Sequence, residues 1–364
     1  MKVIIAGGGT GGHLFPAVAV GEEIMHQLPD ARIKFVGTSA GIESRWMPGR
    51  GFDYELLKVH GVRGHGPIER TRAMVEFVGA AVAARRILRD FRADVVVSAG
   101  GYASAPMAIA AIIGRVPLVL MEQNTRPGLS NRLFKRFAVK VCVGFEEAAS
   151  YFNRSRVEVT GNPVRGAGVA MPEKAPAETL NSQILVLGGS SGAHRLNLGV
   201  LNAFKNSAKD VIKMSVVHQT GDSDAAMVTE AYREIGWVDV KVLPFIDDIR
   251  DALAGADLVV ARSGAMAVSE IALAGRPAIF VPYPFHRDQQ QLHNARVLER
   301  RGAAVIISDD EKLGENLRRA ITDLIGDRPR LEEMGRRARA GAIEGSAERI
   351  ARVCLDAARA GAAA

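Results

Sequence analysis

Residues 2–16 read KVIIAGGGTGGHLFP, a short apolar run followed by five glycines in six positions. The apolar run predicts a buried strand, and PAVAVGEEIMHQL (16–28) predicts a helix with Pro16 in its first turn. Glycine has no Cβ, so clustered glycines are typical of a backbone that turns tightly or approaches a ligand closely. The stretch therefore predicts a strand, a glycine loop and a helix whose first amide groups face an anion such as phosphate.

The glycine spacing within residues 7–12 also fits the dinucleotide-binding pattern G-x-G-x-x-G. That interpretation requires an acid about 20 residues on, at the end of the second strand, where it binds a ribose. The second predicted strand lies in RIKFVGTSAG (32–41), and the first acid after it is Glu43. The sequence therefore disfavours a nicotinamide cofactor, and we expect no cofactor.

Length and composition predict a globular protein of two domains. The chain has 364 residues, of which 48% are hydrophobic and 24% charged. Its two cysteines, Cys142 and Cys354, are far apart and match neither a disulfide framework nor a metal site. The net charge of +7 permits anionic partners, but no nucleic-acid motif is present, so we expect no nucleic acid. The longest apolar stretch, residues 102–121, is interrupted by prolines, Gly and Arg, which disfavours a membrane span.

Short apolar runs alternate with helical stretches along the whole chain, which predicts βαβ units and parallel sheets. The predicted strands lie in residues 2–6, 32–37, 93–101, 116–123, 140–145, 157–163, 183–190, 212–221, 240–246, 256–264, 277–284 and 303–308. QILVLGGSSGA (183–193) repeats the pattern of the opening segment, so each half predicts a Rossmann-like domain. The linker is predicted within residues 161–183, and the two halves are expected to enclose a cleft at the carboxyl ends of their strands.

Three glycine loops follow predicted strands, in residues 7–12, 100–106 and 188–197. Any one of them could be only a tight connection, but three together suggest more than one phosphate group to hold. A nucleoside diphosphate and a second pyrophosphate would account for them.

Residues 261–295 combine a possible helix start at Ser263–Gly264 with a run of polar side chains at residues 288–291. A helix start favours an anion. Glu270 could accept hydrogen bonds from ribose hydroxyls, or could only complement the helix dipole. The polar run suits the hydroxyl groups of a sugar.

Residues 68–91 predict a helix with apolar residues near helical spacing and arginines at their edge. The apolar positions include Met74, Val75, Val78, Val82 and Leu88, and the arginines are Arg70, Arg72, Arg85, Arg86 and Arg89. The pattern fits a packed helix with a solvated basic edge, and it fits equally a helix that rests on anionic lipid.

The motifs GGGTGGH, GGYASAP, EQN, GNPVR, GGSSGA, FIDD, RSGAMAVSE and FVPYP with DQQQLHNA, in this order, resemble the MurG family of bacterial cell-wall glycosyltransferases. The resemblance covers nearly the whole chain. It implies an α/β fold of the GT-B type, with a doubly wound acceptor domain at 1–162, a donor domain at 163–340 and a C-terminal helix at 341–364 that packs back on the first domain.

The activity implied by the resemblance is an inverting transfer of GlcNAc from UDP-GlcNAc to the C4 hydroxyl of MurNAc in lipid I. The product would be lipid II, the precursor of peptidoglycan, which links the chain to cell-wall biogenesis, cell shape and division. The implied location is the cytoplasmic face of the plasma membrane, with peripheral attachment to anionic lipid. Other cell-wall and division proteins are possible partners.

The resemblance also assigns contacts to residues of this sequence. The predicted donor contacts are Thr10, Gly11, Gly12, Asn124, Arg165, Ser190, Ile246, Ala265, Met266, Ala267, Val268, Ser269, Glu270, Gln290 and Gln291. The predicted acceptor contacts are Gly9, Gly101, Tyr102 and Ser104. In the family pattern Ile246 would meet uracil, Glu270 the ribose, residues 264–266 the α-phosphate, and Asn124 with residues 290–291 the sugar.

Three residues depart from the usual family pattern, namely Met121 before EQN, Ser191 in the third glycine loop and Ala267 in the RSG motif. Ala267 removes a hydroxyl near the phosphates, so only backbone donors remain at that position. For the attacking hydroxyl, His13 is the predicted base, and Glu122 is either an alternative base or a residue that orients Asn124.

Asp222, Ser223 and Asp224 form a D-x-D motif, which holds a divalent metal ion on the diphosphate in another class of glycosyltransferases. No metal is expected here, because this motif lies in a turn-like loop. Two other functions remain open at this stage, a UDP-GlcNAc 2-epimerase or other GT-B sugar transferase, and a non-catalytic sensor of sugar nucleotides.

Overall fold

Two parallel β-sheets, of seven and six strands, organise the chain. The computed structural model describes residues 1–59, 67–164, 182–189, 192–205, 214–285 and 288–362, with the backbone alone for 67–72. The chain divides into a first unit, Met1–Gly168 with Ile343–Ala364, and a second unit, Val169–Ala342. The last helix therefore belongs to the first unit.

The first unit alternates strands and helices. Its elements are β1 (Lys2–Gly7), α1 (Gly11–Gln27), β2 (Arg32–Thr38), α2 (Glu43–Trp46), β3 (Asp53–Leu57), α3 (Pro67–Phe91), β4 (Val95–Gly100), α4 (Ser104–Gly114), β5 (Leu118–Glu122), α5 (Leu129–Phe134), β6 (Lys140–Val143), α6 (Glu146–Ala149) and β7 (Val157–Val159).

The second unit follows the same pattern, and the final helix returns to the first. These elements are β8 (Ser182–Leu187), α7 (His194–Lys205), β9 (Met214–Gln219), α8 (Ala225–Ile235), β10 (Val240–Leu243), α9 (Ile249–Gly255), β11 (Leu258–Ala261), α10 (Ala265–Leu273), β12 (Ala278–Phe280), α11 (Gln290–Glu299), β13 (Ala304–Ile306), α12 (Leu313–Ile325), α13 (Arg328–Ala340) and α14 (Ser346–Ala362).

The order of strands places a crevice in each sheet. The first sheet runs β3-β2-β1-β4-β5-β6-β7 and the second β10-β9-β8-β11-β12-β13, and all strand pairs are parallel. The direction of strand succession reverses between β1 and β4, and between β8 and β11. Ligands of open parallel sheets bind beyond the carboxyl ends of the strands at such a reversal.

Alternating side chains of the central strands build two cores on the two faces of the first sheet. Val3 and Ile5 pack with α1 and α14, while Ile4 and Ala6 pack with α3 and α4. Ile350 and Ala351 of α14 are buried in the first of these cores. The C-terminal helix thus closes one face of the N-terminal sheet.

The predicted α/β class and all twelve predicted strands are confirmed, but β3 was missed. Its sequence DYELL alternates polar and apolar residues and lies at the edge of the sheet, so it lacks the continuous apolar run of a central strand. The predicted start of the first helix at Pro16 was wrong: α1 begins at Gly11, and Pro16 lies inside it. Within the described ranges, no helix combines the length and apolar character required to cross a membrane.

We expect Ile350→Ala to lower the unfolding free energy of the first unit by about 2–5 kcal/mol, because it opens a cavity under α14. Ile350 is 1% exposed. The measurement is urea unfolding followed by Trp46 fluorescence in a Trp237→Phe background, since the sequence has two tryptophans and Trp46 packs in the first unit. Arg352→Ala, on the exposed side of α14, is the control and should change the unfolding free energy by less than about 0.5 kcal/mol. Equal effects of the two variants would contradict the packing of α14.

Candidate active site

The glycine loops occupy the points at which strand succession reverses. The first and second loops follow β1 and β4, and the third loop and the RSG motif follow β8 and β11. The register of β1 and β4 shifts where they end, so that Gly7 pairs with Gly100. Each unit therefore presents backbone amide groups at the crevice of its own sheet.

His13 is held between the first two glycine loops. It is the third residue of α1, and its Nδ1 lies 3.2 Å from the hydroxyl of Thr10, the N-cap residue. The other edge of the ring lies on Gly100, where a Cβ would stand 2.7 Å from Cδ2 and 3.0 Å from Nε2. Glycine at position 100 thus leaves the space that the imidazole occupies.

Burial lowers the pKa of His13 to about 4, so the ring is neutral at physiological pH. A neutral imidazole donates through one nitrogen and accepts through the other. If Nδ1–H donates to the Thr10 hydroxyl, then Nε2 is the nitrogen that can accept a proton. The geometry therefore suits a general base whose orientation is set by Thr10.

The second loop is packed directly against the first. Gly101 has a φ of +83°, and a Cβ at this position would overlap the carbonyl of Gly8. Tyr102 is exposed and lies beside Gly9, where a Cβ would stand 3.7 Å from the ring. These residues remain candidates for the acceptor side, Gly101 through its backbone and Tyr102 through its ring.

The Ser104 side chain is engaged within the first unit. Its side chain is fully buried, and its hydroxyl donates to the carbonyl of Gly101 at 2.8 Å and lies 3.2 Å from the hydroxyl of Ser130. The Ser104 hydroxyl therefore supports the second loop, and an acceptor contact of this residue stays a prediction.

Glu122 and Asn124 lie at the end of β5. One oxygen of Glu122 accepts from the backbone N–H (2.9 Å) and side-chain amide (3.2 Å) of Asn124, and the other accepts from Gly128 N–H (2.8 Å) and Asn131 Nδ2 (2.9 Å). Burial raises the pKa of Glu122, and these four hydrogen bonds oppose that shift. A carboxylate engaged in this way orients Asn124 and has poor geometry for a base, which favours the second of its two predicted roles.

The RSG motif leads into α10, whose N-cap is Gly264. Helix geometry leaves the N–H groups of Ala265, Met266 and Ala267 without an acceptor in the helix, so they suit a phosphate. The side chain of Val268 is wholly buried and its N–H donates to the Gly264 carbonyl, so its predicted donor contact stays a prediction. Glu270 is partly exposed one turn further on.

The remaining predicted donor contacts differ in what the structure shows of them. Gln290 and Gln291 begin α11, and the Gln291 side-chain oxygen accepts from Tyr283 N–H at 2.9 Å. Ser269 and Ile246 are partly exposed. Arg165 and Ser190, as well as Ser191, lie outside the described residues.

An ion triad that the sequence did not reveal, centred on the buried Asp309, ties together segments of the second unit. Asp309, after β13, accepts from Arg262 Nη2 (2.8 Å) of the RSG motif and from Arg195 Nε (2.7 Å) at the start of α7. Arg262 also donates to the carbonyl of Val281 at 2.9 Å. A carboxylate shared by two guanidinium groups fixes the segments that carry the predicted phosphate contacts.

The Asp222–Asp224 motif serves a structural network. Asp224 accepts from Asn197 Nδ2 at 2.8 Å and lies 3.0 Å from His194 Nδ1. Asn197 in turn contacts the buried His218 at 3.1 Å. Among the residues that the structure describes, no group of three potential metal-ligating side chains converges.

We expect His13 to remain neutral from pH 8 down to about pH 5, because its folded-state pKa lies near 4. The measurement is an NMR titration of the ring carbons, with the His13→Gln variant for assignment. Since folding lowers this pKa from 6.5, the neutral ring favours the folded state above about pH 6.5, and that contribution is lost as the pH falls towards 4. A ring that protonates with a midpoint above pH 6 would contradict the desolvation of the imidazole between the two loops.

Comparison with known proteins places the chain in a family. The model of the glycosyltransferase family 28 N-terminal domain matches residues 3–143, and that of the C-terminal domain matches residues 183–351. A UDP-N-acetylglucosamine--N-acetylmuramyl-(pentapeptide) pyrophosphoryl-undecaprenol N-acetylglucosamine transferase from Syntrophotalea carbinolica is 42% identical over 97% of this chain and 98% of its own. The protein of the same name from Geobacter sulfurreducens is 41% identical over 92% and 93%.

Solved structures match the fold of this chain over nearly its whole length. The crystal structure of Acinetobacter baumannii MurG is 30% identical, with a TM-score of 0.77 over 98% of this chain and 99% of its own. A UDP-GlcNAc 2-epimerase from Neisseria meningitidis, bound to UDP-GlcNAc, has a TM-score of 0.66 over 98% and 100% at 15% identity, a likeness of fold alone. The chain is therefore a GT-B glycosyltransferase and belongs to glycosyltransferase family 28, within its MurG group.

Proposed function

We propose that this enzyme transfers GlcNAc from UDP-GlcNAc to the C4 hydroxyl of MurNAc in undecaprenyl-diphospho-MurNAc-pentapeptide, with inversion at the anomeric carbon. The relatives at about 40% identity over nearly the whole chain carry the name of this transferase. The observation that carries the chemistry is the neutral His13 imidazole, oriented by Thr10 and lodged between two glycine loops.

In the proposed mechanism, His13 Nε2 takes the proton from the attacking hydroxyl. The anomeric carbon passes through an oxocarbenium-like state while negative charge develops on the departing UDP. The N–H groups at the start of α10, with Arg165, stabilise that charge, and Glu270 binds the ribose hydroxyls. Asn124, oriented by Glu122, and the amides of residues 290–291 bind the sugar.

The assay that separates the candidate functions is incubation with UDP-GlcNAc, with and without a lipid I analogue. Acceptor-dependent release of UDP supports the transferase. Conversion of UDP-GlcNAc to UDP-ManNAc without acceptor would support the epimerase, and binding without turnover would support a sensor.

We expect His13→Ala to lower kcat by about a hundredfold or more, since a positioned base contributes about 10²–10⁴. The binding of UDP-GlcNAc, measured by calorimetry, should change little. Thr10→Val should give a smaller loss of kcat, because the base remains but its orientation is no longer fixed. His26→Ala is the matched control, an exposed histidine on the same helix. A loss below about tenfold in His13→Ala would remove this residue from the role of base.

We further propose that the first unit attaches to an anionic membrane surface through α3 and α5. Four apolar side chains of α3 are 57–68% exposed. They are Met74, Val75, Val78 and Val82. Arg86 and Arg89, one to two turns further on, are also exposed.

The helix α5 adds a second group of the same character. Leu129, Leu133 and Phe137 are 57–60% exposed, and Arg132, Lys135 and Arg136 lie between them in the sequence. Both α3 and α5 contact α4, so the two groups lie on the same face of the first sheet. Apolar side chains rimmed by cations are typical of a surface that rests on anionic lipid, and the proposed acceptor resides in such a membrane.

We expect the combined variant Arg85→Glu, Arg86→Glu and Arg89→Glu to weaken binding to vesicles that contain anionic lipid by tenfold or more, at about 1 kcal/mol per basic residue. Turnover of a soluble acceptor should be unchanged. The control carries the same three changes at Arg349, Arg352 and Arg359 of α14, which packs on the opposite face of the sheet. Vesicle sedimentation measures both. Equal losses in the two variants would show a non-specific charge effect and contradict this surface.

A further inference from the structure

The residue beneath the first glycine loop is an acid. Glu43, the first residue of α2, is 1% exposed, and its carboxylate lies in the bend of the loop. Both of its oxygens accept from the N–H of Gly9, at 3.0 and 2.9 Å, and one also accepts from the N–H of Thr38 at 2.5 Å. The chain thus supplies its own anion to an amide group that the glycine motif predicted for a phosphate.

Three glycines make room for this carboxylate. A Cβ at Gly8, Gly37 or Gly41 would overlap the side chain of Glu43. Gly37 lies in β2, Gly8 in the first loop and Gly41 in the turn before α2, so three separate backbone segments surround one side chain. Part of the glycine content around the loop therefore follows from the presence of Glu43, and not from a ligand.

The loop held by Glu43 leads directly into the proposed base. Gly9 precedes Thr10, whose hydroxyl lies 3.2 Å from His13 Nδ1. The other side of the loop is fixed by Gly101, where a Cβ would overlap the Gly8 carbonyl. The position of Thr10 and of the start of α1 is therefore set between the Glu43 carboxylate and the second loop.

We infer that Glu43 is a positioning residue: its carboxylate anchors the Gly9 amide, aligns Thr10 and His13, and occupies the place that a phosphate would take at that amide. The N–H of Gly9 donates to Glu43, so this group does not donate to an acceptor phosphate. Glu43, the first acid after the second strand, is engaged beneath the loop by the N–H groups of Gly9 and Thr38. The inference rests on the proposed function for its effect on turnover, but not for its effect on His13.

Glu43→Gln tests the inference with little change of shape. Glutamine offers one acceptor and one donor where the carboxylate offers two acceptors to facing N–H groups, so the anchor at Gly9 is weakened. We expect kcat with a lipid I analogue to fall about tenfold to a hundredfold, as for a small displacement of a catalytic group. The affinity for UDP-GlcNAc should fall much less than kcat, because most of the predicted donor contacts lie in the second unit, away from this loop. Glu146→Gln, an exposed acid in the same unit, is the control.

A second readout does not depend on activity. The NMR signals of the His13 ring should shift in Glu43→Gln and stay unchanged in Glu146→Gln. A wild-type chain that releases no UDP in the presence of acceptor would refute the proposed function, while the His13 signals would still test the role of Glu43.

Gly41→Ala provides the second variant, since it keeps the carboxylate but displaces it, and the φ of Gly41 is one that alanine adopts. We expect it to reproduce the loss of kcat and the shift of the His13 signals. In a Glu43→Ala background the space is open, so adding Gly41→Ala should change kcat by less than about twofold. Two results would overturn the inference: wild-type His13 signals with kcat within twofold in both single variants, or equal losses of nucleotide affinity and of kcat.

Discussion

Two glycine loops pack closely together where the direction of strand succession reverses in the first sheet, and the position of His13 depends on this packing. β1 and β4 are neighbours in the sheet, so their loops leave it side by side, and Gly101 lies against the Gly8 carbonyl with no space for a Cβ. This contact brings Gly100 beneath the His13 ring. The imidazole is consequently desolvated and neutral without any charged partner being needed to set its protonation state.

The second unit also contains a buried acid at the ends of its elements, but this acid binds side chains instead of backbone amides. Asp309 accepts hydrogen bonds from Arg195 and Arg262, and so joins segments that lie at the ends of three elements. In the first unit the Glu43 carboxylate accepts from backbone amides, and in the second unit the Asp309 carboxylate binds two guanidinium groups. In both units a buried acid accepts several hydrogen bonds from neighbouring segments. We expect such a satisfied buried network to make the glycine-rich loops beside it more rigid.

The sequence predicts most of the fold because central parallel strands are buried on both faces and appear as continuous apolar runs. β3 escaped prediction because an edge strand with Asp53 and Glu55 has no such run. Site residues were predicted from motifs, which fix the identity of a position but not the direction of its side chain. Ser104 and Val268 belong to matching motifs, and their side chains are buried. Asp309 and Glu43 were not foreseen in their roles, since Arg195 lies 114 residues from Asp309 and Gly9 lies 34 residues from Glu43 in the sequence.

In the proposed mechanism, a neutral base in the first unit activates a hydroxyl for direct displacement of UDP. The most direct measurement is the anomeric configuration of the disaccharide formed from UDP-GlcNAc and a lipid I analogue, read from the proton coupling constant at the anomeric carbon. A single displacement predicts the β-linked product. An α-linked product would require retention and would contradict the role assigned to the base.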